Sequence, residues 1–310
     1  SSVMQDIFSK DFTNIIFTGM GSSYYAGFYI SNYLNSRDIP SYVVEASELA
    51  YFGVDQIRED TLVVMISRGG ESEEVIEALN RIKNKHYVLT ITEDKKGTLS
   101  LNSNSSFYTY AGEEKAPTTK SFLCTLGLLM LLGYWLTDQK LDQRKYQSLF
   151  EIADKIDLLL KEESKIEEIS RNFMDCKYIN ILGRGPSLSV SLQGALIFKE
   201  EAGIAAEGLS SNDFIHGHIF FWSWLCLTIV LSNKGLIRDL DNKLIGLLEK
   251  RKGKKILLSD YDFKGSDDFY AINIPEVENH LSPMLQIIPL EMMIENLKPF
   301  GKSNYESIDY

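Results

Sequence analysis

The chain has 310 residues, 44% of them hydrophobic, enough to bury one large core or two ordinary ones. A formal net charge of −11 excludes a general binder of nucleic acid or of an anionic membrane surface, which needs a basic face. Cys124, Cys176 and Cys226 are odd in number, widely spaced and set among apolar residues, which predicts free core thiols and neither disulfides nor a metal site.

The first ten residues, SSVMQDIFSK, have neither a basic start nor an apolar run, so no secretory signal is expected and the protein is expected to be cytoplasmic. Residues 14–34, NIIFTGMGSSYYAGFYISNYL, read as an apolar strand, a turn through Gly19, Gly21, Ser22 and Ser23, and a helix, with a further short strand in DIPSYVVEASEL. Residues 61–79, TLVVMISRGGESEEVIEAL, run from a β-branched strand through Ser67, Arg68, Gly69 and Ser72 into an amphipathic helix. Such a turn leaves backbone N–H groups facing outward, which suits an anion and phosphate above all; Ser72 with Glu71 and Glu74 nearby equally suits an ordinary helix start. A strand in HYVLTITED follows, then KAPTTK at 115–120, where threonine hydroxyls and Lys120 face outward either toward a ligand or as a plain cap with a solvated lysine. The apolar run from Phe122 to Leu136 falls short of the roughly 20 residues that cross a bilayer, so a buried helix is expected and no membrane partner.

The charged segment TDQKLDQRKYQS marks a join, giving domains at 1–140 and 141–310. The second half repeats the first. YINILGRGPSLSVSLQGAL at 178–196 echoes the first strand, glycine turn and helix; GIAAEGLSSNDF, WLCLTIVLSNKG and KILLSDYD answer the three segments that follow. Apolar strands alternating with helices predict an α/β fold, each half a mostly parallel sheet covered on both faces, a flavodoxin-like three-layer α/β/α arrangement. Ligands bind beyond the carboxyl ends of such strands, which puts Gly19–Ser23, Ser67–Ser72 and 115–120 on one edge. The copies differ there: LSNKG at 231–235 lacks the serine and glycine cradle.

In the second copy Gln193, Ile197 and Glu200 recur at i, i+4 and i+7 on one helix face. Glu200 lies in the last turn, where the negative end of the helix dipole makes a carboxyl hold its proton more tightly; a solvated glutamate is the alternative. DFIHGH carries His216 and His218, two of the four histidines, and imidazole suits the movement of a hydroxyl proton.

GMGSSYYAG, SRGGESEE, TTKSF, GRGPSLSVSLQGALIFKEEAGIAAEG followed by IHG, and LSPMLQIIPLEMM together resemble the sugar isomerase (SIS) superfamily. Within it the chain is similar to the isomerase half of glucosamine-6-phosphate synthase and its relatives that act on ketosamine phosphates. The resemblance covers nearly the whole chain as two tandem SIS domains. It implies that Ser23, Ser67, Gly69 and Ser72 hold a sugar phosphate and that Ser22 and the segment from Ala116 to Thr118 approach the sugar hydroxyls. It places the enolising glutamate at Glu200 and the ring-opening histidine at His216, with no cofactor. The implied assembly is a homodimer or higher homo-oligomer with composite sites. The departures are Gln193 and Ile197 where synthases carry glutamate and lysine, Arg68-Gly69 where they carry glutamine and serine, and a tail whose nearest lysine is Lys302. Arg68 either adds a phosphate contact or points to solvent. With no amidotransferase domain upstream, synthase activity is not expected. A ketosamine-phosphate deglycase or an aldose–ketose isomerase is; a non-catalytic sugar-phosphate sensor is the alternative.

Overall fold

The computed structural model describes residues 2–114, 119–138, 142–220, 225–235 and 237–297. The chain divides into two compact units, 1–149 and 150–310. The division falls inside a helix, past the 140/141 join, because residues 143–148 of the charged segment already form the first turns of that helix.

In the first unit, α1 (Ser2–Phe8) precedes β1 (Asn14–Gly19), α2 (Gly21–Asn35) and β2 (Ser41–Glu45). One turn, α3 (Ala46–Glu48), leads to β3 (Thr61–Ile66), α4 (Glu73–Ile82), β4 (Tyr87–Thr92), α5 (Thr98–Asn102), β5 (Ser105–Tyr108) and α6 (Lys120–Asp138). The second unit takes most of α7 (Gln143–Leu160), then α8 (Glu163–Arg171), β6 (Tyr178–Gly183), α9 (Ser187–Ala202), β7 (Ala205–Ser210) and α10 (Ser211–Ile215). A 3₁₀ turn at His218–Phe220 is followed by β8 (Cys226–Ser232), α11 (Arg238–Glu249), β9 (Lys254–Ser259), β10 (Phe269–Asn273) and α12 (Pro283–Leu297).

All ten strands pair in parallel, in two five-stranded sheets of order β2-β1-β3-β4-β5 and β7-β6-β8-β9-β10. The two orders are the same, as the repeat requires. β3 and β4 are buried along their whole length, which explains their near-continuous apolar sequence. Alternate residues feed opposite faces. Val63, Met65 and Val88 meet Val75, Ala78 and Leu79 of α4, while on the other face Gly27 of α2 lies so close that an added Cβ would be 2.7 Å from Val43 and 3.2 Å from Phe17. In the second sheet Leu182, Val230 and Leu257 pack with Phe214 and Leu244 of α10 and α11, and Ile181 faces Gly194 of α9.

α6 is nineteen residues long, so by length and composition it could cross a membrane, longer than the apolar run suggests. Its tie to α2 marks it as a core helix: a Cβ on Gly133 would sit 2.7 Å from Ile30, and Tyr33 and Tyr134 stack edge to face. Cys176 and Cys226 are buried and Cys124 half-buried, all three as free thiols.

Candidate functional site

In the first sheet the chain steps from β1 to β2 on one side and then to β3 on the other, so the strand order reverses between β1 and β3. Open α/β sheets bind ligands in that crevice, at the carboxyl ends of the strands. The loops there are the two glycine-serine turns. A Cβ on Gly19 would lie 2.6 Å from the Ile66 carbonyl, so the loops touch where they leave the sheet. Gly21 (φ +50°) and Gly70 (φ +67°) adopt the left-handed conformation that favours glycine.

Five helices begin on this edge, α3 among them as a single turn, and the start of a helix attracts anions. The protein's own carboxylates occupy two of them. Glu71 accepts the Thr98 N–H at 2.5 Å and its hydroxyl at 2.9 Å at the start of α5. Glu114 accepts the N–H groups of Thr119 (2.9 Å), Lys120 (2.6 Å) and Ser121 (3.2 Å) and the hydroxyls of Thr119 (2.8 Å) and Ser121 (2.6 Å) at the start of α6. Burial works to raise the Glu114 carboxyl, but the donors from Ser121 and Thr119 outweigh it and hold it at about 2. No side chain caps α2 at Met20 or α4 at Ser72, although α4 carries Glu73 and Glu74 in its first turn; apart from the single turn α3, these are the helix starts left for an incoming anion.

Ser67 is buried and shapes the turn: its hydroxyl accepts the Gly70 N–H at 3.2 Å and its own N–H reaches the Ile91 carbonyl at 3.0 Å. Ser72 and Gly69 are exposed, with nothing within 4 Å of where a Gly69 Cβ would stand. Ser22, Ser23 and Arg68 line a cleft with Ser121 and Thr125 that encloses about 30 Å³, room for a water or two. Arg68 is not directed to open solvent: its Nη2 donates to the Glu114 carbonyl at 2.5 Å and its Nη1 lies 3.9 Å from the Glu114 carboxylate. Lys120 turns back, donating to the Glu113 carbonyl at 3.0 Å. Ala116, Thr118 and Lys302 lie outside the described residues.

In the second unit α9 runs to a left-handed cap at Gly203 (φ +60°). Of the helix face read from the sequence, Gln193 and Ile197 are fully buried, so only Glu200 reaches solvent. Both atoms of the Gln193 amide lack a partner among the described residues. The Glu200 carboxyl is pushed up first by burial, then by the neighbouring Glu201 charge, against the pull of Lys199; burial thus leads where the sequence suggested the helix dipole. His216 caps α10 and is exposed. His218 is the engaged imidazole: its Nδ1 is 3.1 Å from Glu207 Oε2, which also accepts the Tyr178 hydroxyl at 2.5 Å. Gly208 faces α9, its Cβ position 2.3 Å from the Ser191 carbonyl, so Glu207 beside it on β7 faces the other side of the sheet. No hydrogen bond or ion pair joins Glu200 to either histidine among the described residues.

Residues 7–133 match the SIS domain family. Across the chain, the glutamine–fructose-6-phosphate aminotransferase [isomerizing] of Thermococcus kodakarensis is 28% identical over 309 residues, covering 96% of this chain and 50% of that protein. The chain therefore spans about half the length of the curated relatives it matches. Among solved structures, the C-terminal domain of glucosamine-fructose-6-phosphate aminotransferase from Francisella tularensis superimposes with a TM-score of 0.87 at 24% identity, covering 97% of this chain and 88% of that one. A glucosamine-6-phosphate deaminase from Thermotoga maritima does so with a TM-score of 0.77 at 22% identity, covering 94% and 87%. The fold of both units is thus that of the aminotransferase's C-terminal domain.

The SIS segment contains both glycine-serine loops. Sequence reading missed Glu114, Ser121 and Thr125. A signal for the first existed: an acidic pair just ahead of a Thr-Thr-Lys-Ser helix start is a carboxylate within reach of unpaired amides.

Proposed function

We propose that the chain processes an amino-sugar or ketosamine 6-phosphate, by deglycation or by aldose–ketose isomerisation. The observation that carries this reading is the open loop after β3, with Gly69 and Ser72 exposed at the start of α4 and Ser23 at the start of α2, at the reversal point of the first sheet. Amides and hydroxyls there hold a phosphate by charge-assisted hydrogen bonds, and holding it fixes the first carbons of the open chain. The relatives named above act, by their names, on fructose 6-phosphate and glucosamine 6-phosphate, which is the chemistry such a cradle suits.

Glu200 is the proton-transfer group in this reading. A carboxyl raised by burial exchanges its proton closer to neutral pH, which favours general acid–base catalysis. Moving a proton from C1 to C2 through an enediol interconverts ketose and aldose. In a ketosamine the corresponding enolamine is reprotonated at C2 to give an imine at C1; water adds to that carbon and the C–N bond breaks, giving the aldose phosphate and free amine. His216, exposed on its loop, serves ring opening. The second unit, with the strand order of the first, is read as a second SIS domain, and the protein as a homodimer or higher homo-oligomer with composite sites. Light scattering tests the assembly; an active monomer counts against it.

Burial of Gln193 and Ile197 favours a second reading, a sugar-phosphate sensor without turnover, since the face around Glu200 is short of charged groups. Incubation with fructose 6-phosphate, glucosamine 6-phosphate and a panel of amino-acid ketosamine phosphates separates the two. Turnover of one of them is expected. Tight binding with no turnover favours the sensor, and no binding at all removes both.

A further inference from the structure

Glu114 stands directly behind the cleft wall. Its side chain is 5% exposed, and its carboxylate holds Ser121 by both N–H and hydroxyl and lies 3.9 Å from Arg68. Ser121 and Arg68 both face the cleft, and Arg68 is the cation among its described lining residues. Two sources of positive potential, the start of α6 and the guanidinium, are thereby matched by one fixed negative charge. That charge persists at neutral pH, because the donors hold the carboxyl at about 2.

An anion seated over the mouth of the cleft consequently meets two unlike walls. On the side of α2 it finds the hydroxyls of Ser22 and Ser23 at a helix start with no acidic residue in its first turn. On the side of Arg68 and α6 it finds an arrangement already neutralised. One phosphate is satisfied by the first wall. A second phosphate on the same sugar would approach the second wall, where Arg68 and the start of α6 are committed to Glu114 and leave no net positive charge to offset its desolvation.

We propose that Glu114 is a specificity-determining residue of this cleft: by holding its charge against Arg68 and Ser121 it admits sugars carrying one phosphate and rejects bisphosphates. This rests on the phosphosugar reading of the cleft. Glu114 acts through Arg68 and Ser121, as a positioning residue, so the decisive quantity is a ratio of affinities and not an affinity alone.

The test is calorimetric titration of the full chain with fructose 6-phosphate and fructose 1,6-bisphosphate. The wild type should prefer the monophosphate by about tenfold or more. Glu114→Gln keeps an acceptor but loses the charge, leaving Arg68 uncompensated, and should shift the ratio by about tenfold toward the bisphosphate; adding Arg68→Met should take most of that shift back. An unchanged ratio in a Glu114→Gln protein with native circular dichroism overturns the proposal, as does equal binding of both sugars by the wild type. If Glu114→Gln does not fold, Arg68→Met alone decides: it must penalise the bisphosphate more than the monophosphate, and equal penalties overturn the proposal. A wild type that binds neither sugar fails earlier, removing the phosphosugar reading itself.

Discussion

The carboxyl edges of the two sheets share a topology and differ in what fills them. At the first, the loop after β3 is open: Gly69 and Ser72 are exposed, and α4 starts without a side-chain cap. At the second, the loop after β8 is packed by the chain itself. Asn233 donates to Ser282 at 2.9 Å and accepts from Gln286 at 3.2 Å, the Lys234 N–H meets Asp260 at 2.7 Å, and a Cβ on Gly235 would be 2.7 Å from Asn279. Arg184, at the start of α9, pairs with the fully buried Asp241 at 2.8 Å, and Ser232 donates to the same carboxylate at 2.7 Å. Since α9, like α2, begins without a side-chain cap, a bare helix start does not distinguish the edges. The difference is an unfilled loop beside it. Duplication supplies two crevices, and the side chains that close one leave the other for a ligand.

The largest effect should come from the second unit's chemistry. Glu200→Gln keeps shape and loses the base, so turnover of any substrate found should fall by about 10² to 10⁴-fold while phosphosugar affinity changes little. Steady-state kinetics check this, and full activity in the variant would reduce Glu200 to a solvated helix end.

Next in size is the filled edge. Asp241→Ala leaves Arg184 buried without its ion-pair partner and should cost about 3–5 kcal/mol in urea unfolding. Phosphosugar affinity of the folded protein should stay within the wild-type range. A large loss of affinity would mean the second edge is a ligand site as well.

Glu114 gives the first unit an acid limit of its own. Its carboxyl is depressed in the folded state, so its contribution is present above the ordinary carboxylate value near 4.5 and is lost as pH falls toward about 2. Wild type and Glu114→Gln should therefore converge in stability as pH falls through this window, read by thermal melts; curves that stay parallel contradict it.

The smallest effects separate two serines of one loop. Ser72→Ala should weaken phosphosugar binding by about 1–3 kcal/mol with stability unchanged, because Ser72 makes no cap bond. Ser67→Ala should lower both affinity and stability, because the buried hydroxyl also holds Gly70. Equal behaviour of the two variants would show that the loop does not divide its work in this way.

Much of this was legible in the sequence because strands buried on both faces and glycine turns leave local signatures. Gly21, the repeat and the loss of the cradle at 231–235 needed no structure, whereas the left-handed turn falls on Gly70, one residue past the Gly69 that the sequence singles out. What escaped depends on residues far apart in sequence. The union of Arg68 with Glu114, the closing of the second edge by residues 279–286, and the link from His218 to Glu207 and Tyr178 are tertiary contacts that no periodicity encodes. The helix face of Gln193, Ile197 and Glu200 was visible as a spacing, but whether it meets solvent or core is decided by α12 and β6, whose Leu290 and Ile181 lie against Gly194.

The open loop after β3 is the central claim, and Gly69 offers the most direct test. Its conformation is not left-handed and nothing lies within 4 Å of its missing Cβ, so Gly69→Asp introduces a negative charge without a steric clash. Calorimetric titration with fructose 6-phosphate should show one site per wild-type chain and a loss of affinity of about 2 kcal/mol or more in Gly69→Asp at unchanged melting temperature. Undiminished affinity in Gly69→Asp, or two equivalent sites per chain, would contradict the account.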